Sequence, residues 1–179
     1  TKYVTVQSFS NNYKIMKKKI PIISFFSGGG FMDMGFMVAG FEVVFANEYD
    51  KVFADLHDEG ICQWCKGHKK KFCPITTTKS ITELNPENIL NEAFPQGTPK
   101  VWGIIGGPPC QAYSTAGRVR DGKKMASDPR NFLFESYVRI LEHFLPKFFV
   151  FENVTGILSA KVNGAYIFPK IIEALGEKY

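Results

Sequence analysis

The chain alternates short apolar runs with segments of helical spacing. Runs rich in β-branched and aromatic residues predict buried strands at residues 21–26, 41–46, 101–105 and 147–151. Helices are predicted between and after them, at residues 32–39, 86–94, 131–144 and 164–175. Strands that alternate with helices in this way predict an α/β fold with a mostly parallel, doubly wound sheet.

One stretch departs from this alternation. Residues 57–80 are polar, rich in Lys and Cys and without a clear period, and are interpreted as an insertion. The chain of 179 residues with 45% hydrophobic content predicts one globular domain over residues 1–179. Its net charge of +5 favours a polyanionic partner such as nucleic acid.

Nothing in the sequence predicts a membrane partner or secretion. No apolar run approaches the roughly 20 residues of a membrane span, and the first residues lack a signal-peptide pattern. Four cysteines without secretory features favour a reducing compartment, where thiols stay available as nucleophiles or metal ligands. We therefore expect a cytoplasmic or nucleoid-associated protein.

A ligand site is predicted where the first strand ends. Gly28, Gly29 and Gly30 lie between that strand and its helix, where the lack of Cβ atoms allows close approach of a ligand. Glu48 follows Gly28 by 20 residues (48 − 28) at the end of the second strand, where a carboxylate can accept from ribose hydroxyls. Neither a G-x-G-x-x-G nor a Gly-Lys-Ser/Thr pattern is present, so the ligand is expected to lack phosphates. The alternative is a tight turn without a ligand.

A second candidate site follows the strand at residues 101–105. That strand breaks into Gly-Gly-Pro-Pro and leads to Cys110 and Gln111, at the strand end where open α/β sheets bind ligands. The strand at residues 147–151 ends in Glu152 and Asn153, which parallel pairing would bring to the same edge. Cysteine and carboxylate then face one pocket. The alternatives are a buried thiol and a surface salt bridge.

These segments resemble, in the same order, motifs of the C5-cytosine DNA methyltransferases. The resemblance rests on residues 26–36, on Pro-Pro-Cys-Gln at residues 108–111 and on Glu-Asn-Val at residues 152–154, and it covers roughly residues 20–179. It implies a Rossmann-like fold that uses S-adenosylmethionine, whose adenosine and methionine arm suit a site without phosphates. The implied function is methylation of cytosine C5 in DNA, as in bacterial restriction–modification systems.

The resemblance also implies roles for individual residues. Cys110 would be the nucleophile and Glu152 the acid, with the pocket organised by Pro109, Gln111 and Asn153. The implied cofactor residues are Phe26, Ser27, Gly28, Gly29, Gly30, Glu48, Tyr49, Ser80, Ile81 and Pro108, with Phe26 and Tyr49 flanking the adenine. Ser80-Ile81 stands where the family commonly has an Asp-Ile pair, and Ser24 stands where it commonly has an acid, which predicts weaker cofactor binding or a shifted alignment.

The chemistry follows from the low nucleophilicity of cytosine C5. Addition of the Cys110 thiolate at C6, with Glu152 holding a proton near N3, would make C5 reactive towards a methyl donor. The base must leave a duplex stack to be reached, which implies DNA as the partner and base flipping as a step.

A second cluster suggests a metal. Cys62, Cys65, His68 and Cys73 lie within twelve residues and form the ligand set of a Cys3His zinc site. The spacing between Cys65 and His68 is tighter than in the commonest zinc forms, so reduced thiols in a loop remain the alternative.

Two other functions stay open at this point. One is methylation of cytosine in transfer RNA, because a branch of the same family acts there. The other is a non-catalytic or split subunit, because the later family motifs, including the target-recognition region, are absent from these residues. The expected partner is therefore DNA together with a C-terminal target-recognition region or a second subunit.

Overall fold

Five parallel strands form the central sheet of the part of the chain that the structure describes. The structure is a computed structural model and describes residues 19–68, 74, 76–109, 133–159, 161–162 and 165–176. The strand order is β3-β2-β1-β4-β5. The bounds are β1 Pro21–Phe25, β2 Glu42–Asn47, β3 Thr76–Thr77, β4 Gly103–Gly106 and β5 Phe148–Phe151. The predicted doubly wound sheet is confirmed, and the two-residue strand β3 was not predicted.

Helices connect these strands and continue beyond them. Their bounds are α1 Phe31–Val38, α2 Lys51–Gly67, α3 Pro86–Ala93, α4 Leu133–Phe144 and α5 Ile167–Gly176. A 3-10 helix, Thr155–Ser159, follows β5, and an antiparallel pair, β6 Lys161–Val162 and β7 Ala165–Tyr166, precedes α5. None of the helices in the described ranges combines the length and apolarity that a membrane crossing needs.

Part of the segment interpreted as an insertion, residues 57–80, was expected to lack a period but is helical. Residues 57–67 continue helix α2, which begins at Lys51 with Asp50 as its N-cap. Ala54, His57, Ile61 and Cys65 are buried along one side of this helix, at the spacing of three and four residues that an amphipathic helix requires. The hydrophobic period is hard to recognise in the sequence because a histidine and a cysteine occupy two of these core positions.

The sheet is covered on both faces. Ile22, Val43 and Ile105 pack with residues of α1 and α2, including Met37 and Ile61, in one apolar cluster. Alternate strand residues belong to a second cluster that includes α3 and α4, with members Ile23, Phe25, Ile104, Ile89 and Leu141. The side-chain alternation of strands thus divides the core between two helical layers. Because β2 and β4 flank β1, the chain changes direction at the carboxyl end of β1, where such sheets bind ligands.

Candidate active site

A pocket of about 640 Å³ lies at the carboxyl ends of β1, β2 and β4. Six of the predicted cofactor residues line the pocket: Phe26, Gly28, Glu48, Tyr49, Ser80 and Ile81. One predicted catalytic residue, Pro109, lines it as well. Six lining residues were not predicted: Asn47, Asp50, Phe53, Thr82, Gly107 and Leu133. The pocket therefore extends from the end of β2 to the loop that leads to Cys110.

Glu48 joins two of the pocket segments through its carboxylate. Its Oε2 accepts from the Gly28 amide at 2.9 Å, and its Oε1 accepts from the Asp50 amide at 2.9 Å. Asp50 in turn caps α2, since its Oδ1 accepts from the Val52 amide at 2.9 Å. A carboxylate has about four acceptor positions, so Glu48 keeps capacity for ligand hydroxyls.

The glycine loop, defined as residues 27–30, turns sharply from β1 into α1. Gly28 and Gly30 have positive φ angles of 54° and 83°, which glycine adopts without steric cost. The Gly30 amide donates to the Ser27 carbonyl at 3.0 Å, and the Ser27 amide donates to the Asn47 carbonyl at 3.1 Å. Ser27, Gly29 and Gly30 do not line the pocket, and the buried Ser27 hydroxyl makes no hydrogen bond to the described residues.

Aromatic and aliphatic side chains form the apolar wall of the pocket. Phe26 has a φ of 53°, a left-handed conformation that is uncommon for a residue with a Cβ atom. Tyr49 is largely exposed, whereas Ile81 is buried and belongs to the core cluster that includes α3. Phe26, Tyr49 and Ile81 thus offer a surface for a flat ring, beside a polar end formed by Glu48.

Asn47 holds the segment after β3 in place. Its side-chain amide donates to the Thr77 carbonyl at 3.0 Å and to the Lys79 carbonyl at 2.8 Å, and the residue is 2% exposed. These bonds fix the backbone that leads to Ser80 and Ile81. The signal in the sequence was a polar residue at the buried end of a strand, directly before Glu48.

The loop after β4 meets the residues after β5. The Glu152 amide donates to the Gly106 carbonyl at 2.9 Å, and the side chain of Asn153 donates to the Pro108 carbonyl at 2.9 Å. A Cβ atom on Gly107 would lie 2.7 Å from Glu152 Oε2, so the carboxylate lies directly over this glycine. The expected meeting of the two strand ends is therefore present, while Cys110 and Gln111 lie outside the described residues.

Pro108 is buried, and the end of strand β4 before it is closely packed. A Cβ atom on Gly106 would lie 2.5 Å from the Tyr137 ring and 3.0 Å from the Phe25 carbonyl oxygen. Tyr137 is fully buried, and its hydroxyl donates to the Val150 carbonyl at 2.9 Å. This packing fixes the ends of β4 and β5 relative to each other.

The structure does not support the zinc site. Within the described residues, no group of three or more potential metal ligands comes together. Cys62 is disulfide-bonded, and Cys65 is buried in the core cluster that includes α1. The His68 ring stacks on Trp64 at 4.0 Å, and its Nδ1 lies 2.9 Å from the Trp64 carbonyl oxygen. Cys73 lies outside the described residues. Cys65 lies on the buried face of α2, so its thiol packs in the core.

Comparison with known proteins shows the family. Residues 20–178 match the family model described as C-5 cytosine-specific DNA methylase. The chain is 43% identical over 140 residues to the Type II methyltransferase M.FnuDI of Fusobacterium nucleatum, covering 78% of this chain and 34% of the relative. It is 42% identical over 144 residues to the Type II methyltransferase M.NgoPII of Neisseria gonorrhoeae, covering 80% and 36%. The chain thus spans about a third of the length of these relatives.

Solved structures agree in fold. A protein described as a DNA modification methyltransferase encoded within an E. coli prophage superimposes with a TM-score of 0.66 at 30% identity, covering 89% of this chain and 38% of that one. The Dnmt2 methyltransferase of S. pombe gives a TM-score of 0.53 at 17% identity, covering 87% and 40%, which shows the fold alone. These neighbours are consistent with the Rossmann-like architecture expected from the sequence.

Proposed function

Because the chain belongs to the C-5 cytosine-specific DNA methylase family, we propose that it carries the cofactor pocket and the nucleophile of a DNA cytosine-5 methyltransferase. The reaction is transfer of a methyl group from S-adenosylmethionine to C5 of cytosine. The observation that carries this proposal is one continuous pocket. It runs from Glu48 at the end of β2 to Gly107 and Pro109 after β4, one residue before Cys110.

The residues of the pocket fit S-adenosylmethionine. Glu48 suits the two ribose hydroxyls, and Phe26, Tyr49 and Ile81 suit the adenine ring. The loop pattern favours a ligand without phosphates, since neither of the two phosphate-binding glycine patterns is present in the sequence. When bound, S-adenosylmethionine supplies an electrophilic methyl group on a positively charged sulfur.

Cys110 and Glu152 are the proposed reacting groups of the chain. The Cys110 thiolate adds to C6 of the extruded cytosine, and Glu152 shares a proton with N3, so that electron density moves towards C5. After the methyl group is gained, the C5 proton leaves to a base and the C6–sulfur bond breaks, which restores the aromatic ring and the thiolate. Asn153 supports this arrangement through its bond to the Pro108 carbonyl, two residues before Cys110.

Recognition of a target sequence is proposed to need more than these residues. The relatives are about three times as long as the segment matched here. Contacts from surface lysines to phosphates give weak, salt-sensitive binding, with Kd on the order of 10⁻⁴ to 10⁻⁶ M. A misplacement of about 1 Å can cost on the order of 100-fold in rate. We therefore propose that a target-recognition region, in the same chain or in a second subunit, holds the DNA over Cys110.

Methyl transfer from tritiated S-adenosylmethionine tests this proposal. Residues 1–179 alone are expected to label mixed-sequence DNA at background level. The same residues together with the proposed target-recognition region, in the same chain or as a second subunit, are expected to label it at specific sites. Matched transfer RNA serves as the second substrate. Labelling of transfer RNA in preference to DNA would contradict the proposed substrate, and sequence-specific labelling by residues 1–179 alone would contradict the need for a further region.

A further inference from the structure

A buried chain of hydrogen bonds lies beneath the glycine loop, and the proposed chemistry does not use it. The side chains of Asp33 on α1 and His57 on α2 are fully buried, with His57 Nε2 2.8 Å from Asp33 Oδ2. Ser24 on β1 donates to Asp33 Oδ1 at 2.7 Å. On the other side of the ring, His57 Nδ1 lies 2.7 Å from the hydroxyl of Thr76 on β3. Four elements around the pocket are thereby connected.

The hydrogen bonds of Thr76 indicate the charge state of His57. The Thr76 hydroxyl lies 2.7 Å from Asp58 Oδ1, which also accepts from the Thr76 amide at 2.9 Å. A hydroxyl has one proton to donate. If Thr76 gives that proton to the Asp58 carboxylate, its oxygen must accept from His57 Nδ1. Both ring nitrogens then carry protons, and His57 is an imidazolium between two carboxylates.

The charges around the ring support the same state. Burial lowers the pKa of His57, but the hydrogen bonds and negative charges of Asp33 and Asp58 outweigh burial, so its pKa is raised above the ordinary value. Asp33 is fully buried, whereas the side chain of Asp58 is partly exposed. A buried carboxylate without this cation would be strongly unfavourable, so the two groups depend on each other.

The pair is in direct contact with the glycine loop. A Cβ atom on Gly30 would lie 2.9 Å from His57 Cδ2, so the imidazole ring forms the floor under this residue. Gly30 is the N-cap of α1, and Asp33 lies in the first turn of the same helix. At the other end of the loop, Gly28 bonds to Glu48. The ion pair therefore fixes the start of α1 against α2, and the loop is held between these two attachments.

We infer that His57 and Asp33 are positioning residues that hold the glycine loop in the geometry that allows the Gly28–Glu48 hydrogen bond. The inference rests on the proposed function only for the identity of the ligand that this geometry serves. Neither residue lines the pocket, so each acts through the loop rather than by touching the cofactor. Replacing Asp33 or His57 by a neutral or shorter residue would leave the residues that line the pocket unchanged. It would remove the ion pair that holds the glycine loop, so the loop backbone would become less ordered.

Amide hydrogen exchange resolved by NMR tests the inference on this chain. In Asp33→Asn, the Gly28 and Gly30 amides should exchange about 10- to 100-fold faster, the factor that corresponds to one hydrogen bond to a charged group. The β4 amides of Ile104 and Ile105 should change only as global stability changes. Leu141→Ala, in the core cluster that includes α3 and α4, is the matched control. Its loop and β4 amides should exchange faster only to the extent that its global stability is lower.

Two further measurements keep the test decisive. If Asp33→Asn fails to fold, Ser24→Ala serves in its place, because it removes one hydrogen-bond donor to Asp33. It should accelerate exchange of the same loop amides by a smaller factor. In the wild-type protein, the Gly28 and Gly30 resonances should shift with the titration of His57 and lose that dependence in His57→Gln. Unchanged loop exchange in the folded variants, or glycine resonances that stay fixed while His57 titrates, would overturn the inference.

The cofactor provides a separate comparison. Calorimetry should show S-adenosylmethionine binding about 10- to 100-fold more weakly to Asp33→Asn than to the wild type. Failure of the wild-type protein to bind S-adenosylmethionine, also in the presence of the proposed target-recognition region, would contradict the proposed function, whereas the exchange of the loop amides decides the positioning role by itself.

Discussion

The Gly28 amide donates a 2.9 Å hydrogen bond to Glu48 Oε2, which joins the loop after the first strand to the end of the second. The other carboxylate oxygen accepts from Asp50, the residue that caps α2. One side chain thus orders the backbone on two sides of the pocket. In the proposed complex the same carboxylate also accepts from the ribose, so its loss is expected to affect the ligand and the loop together.

We expect Glu48→Ala to weaken S-adenosylmethionine binding by about 1.5–3 kcal/mol, the range for hydrogen bonds to a charged group. Calorimetry measures this directly. Glu48→Gln keeps one side-chain oxygen acceptor and should lose less affinity. Glu92→Ala removes an exposed carboxylate from α3, outside the pocket, and should leave the affinity unchanged. Equal affinities for Glu48→Ala and the wild type would show that another residue binds the ribose.

Gly107 gives a way to move Glu152 without removing it. An alanine Cβ at this position would lie 2.7 Å from Glu152 Oε2 but 3.6 Å from the Glu152 carbonyl oxygen, and Glu152 is exposed. The carboxylate can therefore swing away while the backbone stays. We expect Gly107→Ala to change the free energy of unfolding by about 0.5 kcal/mol or less. Because a positioned acid contributes about 100-fold or more, methyl transfer in the presence of the proposed target-recognition region should fall by roughly 10- to 100-fold.

Gly106→Ala is the contrasting variant one residue earlier. Its Cβ would meet the buried Tyr137 ring and the Phe25 backbone, neither of which can move freely. This variant should lower the free energy of unfolding by about 1–3 kcal/mol, as overpacking does. Urea unfolding separates the two cases. A Gly107→Ala variant that is destabilised as much as Gly106→Ala, or that keeps full activity, would contradict the assigned position of Glu152.

The sequence predicted the parts of this site that depend on local pattern. Four strand runs, the loop glycines and the 20-residue interval to Glu48 could be identified because each follows from chain geometry between adjacent elements. Ser80 and Ile81 were placed by resemblance and do line the pocket. Asn47 was missed because its two bonds reach carbonyls more than 29 residues further along the chain, which no local pattern contains.

Within the described residues, the structure supports neither the zinc site nor the lack of a regular period over residues 57–67. Cys65 was expected to bind zinc and His57 to lie in an insertion, although Cys65 packs in the apolar core and His57 is paired with Asp33. Both residues fall on the buried face of α2. Cysteine is often a core residue, and the partner that allows a histidine to be buried came from a helix 24 residues earlier. Tertiary contacts of this kind decide between core and ligand roles.

The buried pair also predicts a dependence of stability on pH. His57 has a raised pKa in the folded protein, so its contribution to stability is fully present below its unfolded pKa and is lost as pH rises through the folded value. The difference in unfolding free energy between the wild type and His57→Gln should therefore shrink as pH rises from the ordinary histidine value of 6.5 through the raised folded pKa. Urea unfolding at several pH values measures it. A difference that is constant or grows with pH would show that His57 is neutral in the folded protein.

Trapping of a covalent adduct tests most directly whether Cys110 attacks C6 of cytosine. The protein, together with the proposed target-recognition region, is incubated with S-adenosylmethionine and duplex DNA that carries 5-fluorocytosine at the target site, because fluorine cannot leave as the C5 proton does. We expect a stable protein–DNA adduct in the wild type and in Glu92→Ala, which changes an exposed residue outside the pocket. We expect none in Cys110→Ser, by denaturing electrophoresis and mass spectrometry. An undiminished adduct in Cys110→Ser would contradict the account.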